Sequence, residues 1–278
     1  MEPHGSNPKQ IVVAVIPARF ASTRLPGKLL LELGGRPMIL RTVEQTSKAE
    51  LIDRVIVATD DIRILQVVHD AGFEAIMTAP GHRSGSDRVA EVAAGLPKGT
   101  IVVNVQGDEP LISPDTIDRA IDALLQDPDA DIATTCEPVM SISELLNGNV
   151  VKVVSGAGNY ALYFSRSPIP YPRDAAQRHN GDIDAAIRNE PALMSIFRKH
   201  TGLYAYRREY LLKFTSLPES GLEKIEMLEQ LRALEDGAKI KVVESGGRSI
   251  GVDTEEDLAE ARRRLRVGGT AIDYAKLT

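Results

Sequence analysis

The amino-acid sequence predicts an α/β fold with three layers, in which a mostly parallel twisted sheet carries helices on both faces. Residues 11–17 form an uncharged run, and 54–59 and 101–105 are similarly apolar. Such runs are typical of strands that are buried on both faces, as in parallel sheets. Segments with helical spacing of apolar residues alternate with these runs, which is the pattern of βαβ units.

The elements of this alternation can be assigned in order. After the first strand, Gly34 and Gly35 predict a turn, and Pro37 suits the first turn of a helix that runs to about residue 47. Gly72 is a suitable residue to end the second helix, and Ser84 and Ser86 are both candidate caps for the third. The predicted helices are 62–71, 87–94 and 115–126, and the remaining strands of this half are 73–78 and 131–136.

The pattern changes after residue 150. Residues 150–155 and 160–164 predict a hairpin rather than a βαβ unit, because a glycine-rich turn separates them. Residues 165–199 are polar and rich in proline and arginine, and the segment is too long for a simple connection, which favours a functional or interface role. The remaining segments predict strands over 201–206 and 239–244, one continuous helix over 222–235 and a charged helix over 254–265.

Composition excludes several classes of protein. The chain has 278 residues, 43% hydrophobic and 26% charged, which is ordinary for a soluble globular protein. Its net charge of −6 argues against general binding to nucleic acid or to membrane surfaces. The single cysteine, Cys136, excludes a disulfide framework and suits a reducing cytoplasm. No run is apolar enough for a signal peptide or a transmembrane helix, so we expect neither.

A basic loop follows the first strand and predicts an anion site. Arg19, Arg24 and Lys28 lie there among small and turn-forming residues, and cations together with backbone amides beyond a buried strand suit a triphosphate. The loop is not a P-loop, because Leu29 follows Lys28, and it lacks the glycines of a dinucleotide-binding fingerprint. The alternative is a solvated basic loop.

Two aspartates at predicted strand ends suggest a magnesium site. Mg²⁺ takes oxygen ligands and commonly uses one or two carboxylates together with substrate phosphates. Asp108 follows the strand 101–105, and Asp253 precedes the last helix, so one ion between them is plausible. The alternatives are a turn residue before Pro110 for Asp108, and helix capping for Asp253, since residues 254–257 match a capping box.

Six motifs in order carry a resemblance to a known family. They are IPARFASTRLPGK, VVNVQGDEPLI, YALYFSRSPIP, HTGLYAYR, EKIEMLEQLR and GVDTEEDL, and they span about residues 11–265. This series resembles the 3-deoxy-manno-octulosonate (Kdo) cytidylyltransferases, also called CMP-Kdo synthetases. The resemblance implies a nucleotide-diphospho-sugar transferase-like fold and a cytoplasmic, Mg²⁺-dependent homodimer. It also implies transfer of CMP from CTP to Kdo, with release of pyrophosphate, for lipopolysaccharide synthesis.

The resemblance also implies roles for individual residues. Arg19, Ser22 and Lys28 match the triphosphate loop, with Arg24 as a helper, and Asp108 and Asp253 match the Mg²⁺ ligands. The catalytic set is then Arg19, Lys28, Asp108 and Asp253. Residues assigned to the sugar are Arg88, Gln106, Arg166, His200, Tyr204, Glu226 and Gln230.

Physical reasoning is compatible with these sugar-site assignments. Kdo carries a carboxylate and many hydroxyls, so its pocket is expected to contain a cation and several hydrogen-bonding groups. Glu226 and Gln230 are four residues apart on the predicted helix and would face the same way. Tyr204 and Tyr206 lie on one strand, and we expect one to face the site and the other the core. The alternatives are that Glu226 and Gln230 form a solvated helix face and that His200 is an ordinary packed histidine.

The predicted organisation is a single domain over residues 11–266. Its nucleotide-binding half is 11–140 and 237–266, and its sugar-binding and dimerisation region is 150–236, with 1–10 a disordered tail and 267–278 a loose tail. The expected chemistry is in-line attack of the anomeric 2-hydroxyl on the α-phosphorus of CTP, without a covalent enzyme intermediate. The open alternatives are a related enzyme for sialic acid, 8-amino Kdo or another nucleotide, and a non-catalytic nucleotide-sugar sensor.

Overall fold

A nine-stranded sheet forms the centre of the part of the chain described by the computed structural model, residues 10–21 and 25–266. The predicted tails, except Gln10, lie outside these residues, as do Ser22 and Arg24. The strands are β1 Val12–Ala18, β2 Arg54–Thr59, β3 Glu74–Met77, β4 Ile101–Asn104, β5 Ile132–Pro138, β6 Lys152–Ser155, β7 Ala161–Ser165, β8 Arg198–Arg207 and β9 Ile240–Glu244.

The strand order is β3-β2-β1-β4-β8-β5-β9. The pairs β1–β2, β2–β3, β1–β4 and β5–β9 are parallel, whereas β8 runs antiparallel between β4 and β5. The mostly parallel sheet is therefore confirmed. The chain moves outward from β1 to β3 and then returns to β4 on the other side of β1. Strand order reverses between β1 and β4, which is where ligands bind in open α/β sheets.

Eleven helices are assigned over the described ranges. They are α1 Met38–Thr46, α2 Ile62–Asp70, α3 Gly85–Ala94, α4 Pro114–Gln126, α5 Ile142–Leu146, α6 Arg173–Arg178, α7 Ile183–Asn189, α8 Arg208–Ser216, α9 Gly221–Glu226, α10 Gln230–Glu235 and α11 Glu255–Arg266. One apolar cluster contains residues of α1, α2, α4 and α11, and a second contains residues of α3, α8 and α10. Alternate residues of β1 belong to the two clusters, because successive strand side chains point to opposite faces. This arrangement is the predicted three-layer architecture.

The predicted hairpin is present, since β6 and β7 pair antiparallel and β6 also joins β8. The long polar segment between β7 and β8 contains α6, α7 and a 3₁₀ segment, Pro191–Ile196. α7 and the 3₁₀ segment pack on α5 and the residue after β5 through a small apolar cluster of Val139, Leu145, Ile187 and Phe197. No helix among the described residues is long and apolar enough to cross a bilayer.

The prediction of one continuous helix over 222–235 is wrong. The structure has two short helices, α9 and α10, and Met227 between them adopts a left-handed conformation with φ 52°. Leu228 is buried, and its N–H donates to the carbonyl of Glu223, which closes the first helix. Tertiary contacts therefore override a sequence that contains no glycine or proline between residues 222 and 235.

Candidate active site

A polar cleft of about 380 Å³ opens where β1 and β4 end, at the reversal of strand order. The chain leaves β1 through Arg19, which is exposed at the cleft, and leaves β4 through Gln106, Gly107 and Asp108. A Cβ at position 107 would lie 3.0 Å from the carbonyl oxygen of Pro17, which is closer than most real Cβ contacts, so glycine suits this close approach of the two strand ends. The two strand ends are thereby held close together. The cleft is lined by Pro17, Arg19, Ala21, Lys28, Leu29, Gly85, Gln106, Gly107, Asp108 and Asp253.

Lys28 joins the two predicted metal ligands. Its Nζ donates to the carboxylate of Asp108, to Oδ1 of Asp253 at 2.8 Å and to the carbonyl oxygen of Val252 at 3.1 Å. Burial by itself would lower the pKa of Lys28, but the two carboxylates outweigh it and leave that pKa raised. Residues 80 and 225 positions from Lys28 thus converge on one ammonium group.

The Asp253 side chain does not cap the last helix. Thr254 and Asp257 form the capping box, since Thr254 Oγ1 accepts from Asp257 N–H at 3.2 Å and the Asp257 carboxylate accepts from Thr254 N–H at 2.9 Å. The Asp253 backbone N–H also donates to Asp257, while the Asp253 carboxylate points to Lys28. No group of three or more histidine, cysteine or acidic side chains within 10–21 and 25–266 is arranged so that it could hold a metal ion. Two carboxylates beside a phosphate-sized cleft nevertheless fit the ligand preference of Mg²⁺.

A second cavity, of about 270 Å³, adjoins the first. Gln106 and Gly85 line both, so the two compartments meet at the end of β4 and at the first turn of α3. The Gln106 amide donates to Asn104 Oδ1 at 3.3 Å and to Gly202 O at 3.4 Å. The wall of this second cavity comprises Gly85, Ser86, Asn104, Gln106, Val151, His200, Gly202, Tyr204, Tyr206, Phe214, Met227, Leu228, Glu229 and Gln230.

His200 is a neutral group in this wall. Burial lowers its pKa to about 3, and its ring packs edge-on against Phe164. His200 Nε2 lies 2.9 Å from Thr134 Oγ1, whose single hydroxyl proton is donated to Leu203 O at 2.7 Å. The imidazole Nε2–H is therefore assigned as the donor to Thr134, which leaves Nδ1 as an acceptor. His200 is therefore a packed histidine, since its ring contacts Phe164, and it also lines the second cavity.

Tyr204 and Tyr206 lie on the same face of β8. The prediction that one faces the site and the other the core is wrong, because residues two apart on a strand point the same way. Their rings stack at 5.6 Å, and both line the second cavity. Burial raises the pKa of both hydroxyls, so each is a neutral hydrogen-bonding group at physiological pH.

Gln230 and Glu229 provide the polar end of this cavity. Gln230 lines the cavity as its predicted role requires; it is only 7% exposed, and its Nε2 has no hydrogen-bond partner among the described residues. Glu229 is absent from the prediction. Its carboxyl group bonds Ser84 and Ser86, and burial raises its pKa. Glu229 stands beside Gln230 in the MLEQ motif, which was the only signal for it in the sequence. In the predicted continuous helix, Glu229 and Gln230 would point in different directions, so the prediction did not include Glu229.

Three residues assigned to the sugar by resemblance do not line the cavity. Arg88 is fully buried, where it bonds Thr78 and, at 2.7 Å, Asp60. Arg166 and Glu226 bond each other's backbone. The expected cation is therefore not found, since no lysine or arginine of the described ranges lines this cavity. The predicted helical alignment of Glu226 with Gln230 also fails, because the helix breaks between them.

The fold and the two adjoining compartments, a polar cleft beside a hydroxyl-lined pocket, are those expected of a transferase with two substrates. Comparison with known proteins supports this classification, since the Cytidylyltransferase family matches residues 13–240. The chain belongs to the 3-deoxy-manno-octulosonate cytidylyltransferase family. Proteins of that name from Trichlorobacter lovleyi and Syntrophotalea carbinolica are 49% and 50% identical to this chain over 92% of its length. The matches cover 99% and 98% of those two proteins.

A solved structure agrees with this assignment. A CMP:2-keto-3-deoxy-manno-octonic acid synthetase in complex with CTP superimposes with a TM-score of 0.83 at 39% identity. The match covers 94% of this chain and 100% of the other.

Proposed function

We propose that this protein transfers CMP from CTP to the anomeric hydroxyl of Kdo, giving CMP-Kdo and pyrophosphate. The observation that carries the proposal is the junction of the two cavities at Gln106 and Gly85, beside a convergent pair of carboxylates. A nucleotide in the first cavity and an acid sugar in the second would place the attacking oxygen next to the α-phosphorus. Catalysis then depends on positioning and charge neutralisation.

The first cavity suits the triphosphate of CTP. Arg19 is exposed at its mouth, and Lys28 lies at its base. With a triphosphate bound, both cations would offset the negative charge that builds on the leaving pyrophosphate. Ser22 and Arg24 retain their proposed roles in this loop, although they lie outside the described residues.

The second cavity suits an acid sugar through neutral donors and acceptors. His200, Tyr204 and Gln230 offer a ring nitrogen, a phenol and an unpartnered amide. The first turn of α3, at Gly85 and Ser86, lies at the wall with its backbone N–H groups and positive helix end, which suits the sugar carboxylate. A helix terminus and the Gln230 amide thus replace the cation expected from the sequence.

Asp108 and Asp253 are the residues that would hold Mg²⁺. When bound, Mg²⁺ supplies charge neutralisation at the α-phosphate and lowers the pKa of a coordinated hydroxyl. The chain's own part is to present the carboxylates of Asp108 and Asp253 at the first cavity, where both now bond the Lys28 ammonium group.

The cellular location, the pathway and the oligomeric state are part of the same proposal. We place this activity in the cytoplasm, in lipopolysaccharide synthesis, as expected from the resemblance. A homodimer formed through the hairpin and the segment after residue 150 is also expected, and light scattering that shows only monomer would remove that expectation.

Pyrophosphate release tests the reaction. We expect release only when CTP, Kdo and Mg²⁺ are all present, with CTP preferred over UTP. Activity with sialic acid or 8-amino Kdo, but not with Kdo, would overturn the identification of Kdo as the substrate and leave the proposed nucleotidyl transfer in place. No release with any sugar and nucleotide pair would overturn the enzyme assignment in favour of a nucleotide-sugar sensor.

A further inference from the structure

The break between α9 and α10 contradicts the local sequence. Residues 222–235 contain neither glycine nor proline, and most are good helix formers, so a continuous helix is their intrinsic preference. The structure instead places Met227 in the left-handed region, which is unfavourable for a residue with a Cβ. Met227 is 74% exposed, so packing of its own side chain does not enforce this conformation. Some other contact must hold the break.

Arg166 makes that contact. In a continuous helix, the carbonyls of Glu226 and Met227 would accept from the N–H groups four residues later. Here Arg166 Nε donates to Glu226 O at 2.6 Å and Arg166 Nη2 to Met227 O at 3.2 Å. The N–H of Leu231 bonds Leu228 O instead of Met227 O. One guanidinium therefore satisfies two of the carbonyls that the broken helix releases.

The contact is reciprocal, which fixes its geometry. The carboxylate of Glu226 accepts from the backbone N–H of Arg166 at 2.9 Å and from the hydroxyl of Ser165 at 2.7 Å. Arg166 Nη1 also donates to Gly148 O at 2.9 Å, in the loop before β6. The end of β7, the helix break and that loop are thus tied together. We call this set, Ser165, Arg166 and Glu226, the clamp.

The break has a consequence for the proposed sugar pocket. It buries Leu228 and brings Glu229 and Gln230 to the wall of the second cavity. A continuous helix would rotate both polar side chains away from their present positions, because the left-handed residue changes the direction of the chain. The unpartnered amide of Gln230 and the Ser84 and Ser86 bonds of Glu229 depend on the break.

We propose that Arg166 is a positioning residue, which acts on the acid sugar through the break at Met227 and not by touching the sugar. The proposal rests on the proposed function only for the identity of the ligand. It reassigns both Arg166 and Glu226 from sugar contacts to the element that orients Glu229 and Gln230.

A double-mutant cycle tests this role. Arg166→Met should raise the KM for Kdo at least tenfold, while the KM for CTP changes less than twofold. The same substitution in a Met227→Gly background should raise the KM for Kdo less than threefold, because glycine favours the left-handed conformation and disfavours a continuous helix. Equal losses in both backgrounds would overturn the proposal and indicate direct contact with the sugar. Arg263→Met, which removes an exposed arginine paired with Glu260 and lies outside the segment proposed as the dimer interface, is the matched control and should change neither KM.

Two further measurements keep the test decisive. If Arg166→Met does not fold, Met227→Ile should raise the KM for Kdo in the same way, because a β-branched residue opposes the left-handed conformation. An unchanged KM for Kdo in that variant would count against the proposal. Hydrogen exchange at residues 226–231 requires no substrate, so it separates this proposal from the proposed function. Faster exchange there in Arg166→Met, reversed by Met227→Gly, is expected, and unaltered exchange would contradict the clamp.

Discussion

Lys28 gives the sharpest prediction about the first cavity. Replacing Lys28 with methionine removes the ammonium group between Asp108 and Asp253 and leaves a similar apolar stem. Two carboxylate oxygens bonded to one nitrogen stand roughly 5 Å apart, so their mutual repulsion is about 3 kcal/mol at an effective dielectric constant of 20. The side chains of Asp108 and Asp253 are 27% and 41% exposed, and solvent screening reduces this value. We expect the free energy of unfolding to fall by about 1–2 kcal/mol without divalent ions.

Thermal unfolding measures this loss. A loss of that size corresponds to a fall in Tm of roughly 2–8 °C for a domain of this size. Millimolar Mg²⁺ should then raise the Tm of Lys28→Met more than that of the wild type, because the ion takes the place of the ammonium group. Lys213→Met, at an exposed pair with Asp236, is the control and should change stability little. Unchanged stability together with an equal response to Mg²⁺ in both proteins would refute the reasoning.

Three other predictions concern the two cavities. Asp108→Asn should lower turnover by several orders of magnitude with the fold intact by circular dichroism, and near-normal activity would remove the metal assignment. Gln230→Met should raise the KM for Kdo at least tenfold without lowering Tm, because its buried amide has no partner to lose; a lower Tm would contradict that. Because the pKa of His200 is lowered to about 3, its neutral form stabilises the fold above pH 6.5, and stability falls by up to about 1.4 kcal/mol per pH unit as the pH drops toward 3. In His200→Gln, the free energy of unfolding from denaturant titrations should fall less steeply between pH 6.5 and pH 3. An unchanged pH dependence would show that other groups cause the loss of stability.

The fold was largely predictable because its signals are local and repeated. Buried runs such as 54–59 match β2 residue for residue, and the capping box at Thr254 and Asp257 is readable from four letters. Asp108 was predictable, since it follows the end of β4, but the prediction that Asp253 also stands at a strand end is wrong, because β9 ends at Glu244 and an irregular segment leads to Asp253. What the sequence did not show is that Lys28 lies between the two aspartates, because that contact joins residues 225 positions apart.

The sugar side was predicted less well, for physical reasons. Arg88 and Arg166 occur in the right motifs, but an arginine's length lets it bond groups well away from the cavity that its motif borders. The stacking of Tyr204 on Tyr206 follows from strand periodicity and could have been predicted. Glu229 could not, because its orientation depends on the break at Met227.

The sequence by itself determined the mostly parallel sheet, the helices α1 to α4 and α11, and the residues that follow β1 and β4, because hydrophobic periodicity and turn chemistry act over a few neighbouring residues. Only the tertiary structure decided where the helix 222–235 breaks and that Arg88 and Arg166 lie outside the second cavity. Those outcomes depend on hydrogen bonds between distant segments, such as Arg166 to Met227, which local helix preference does not register.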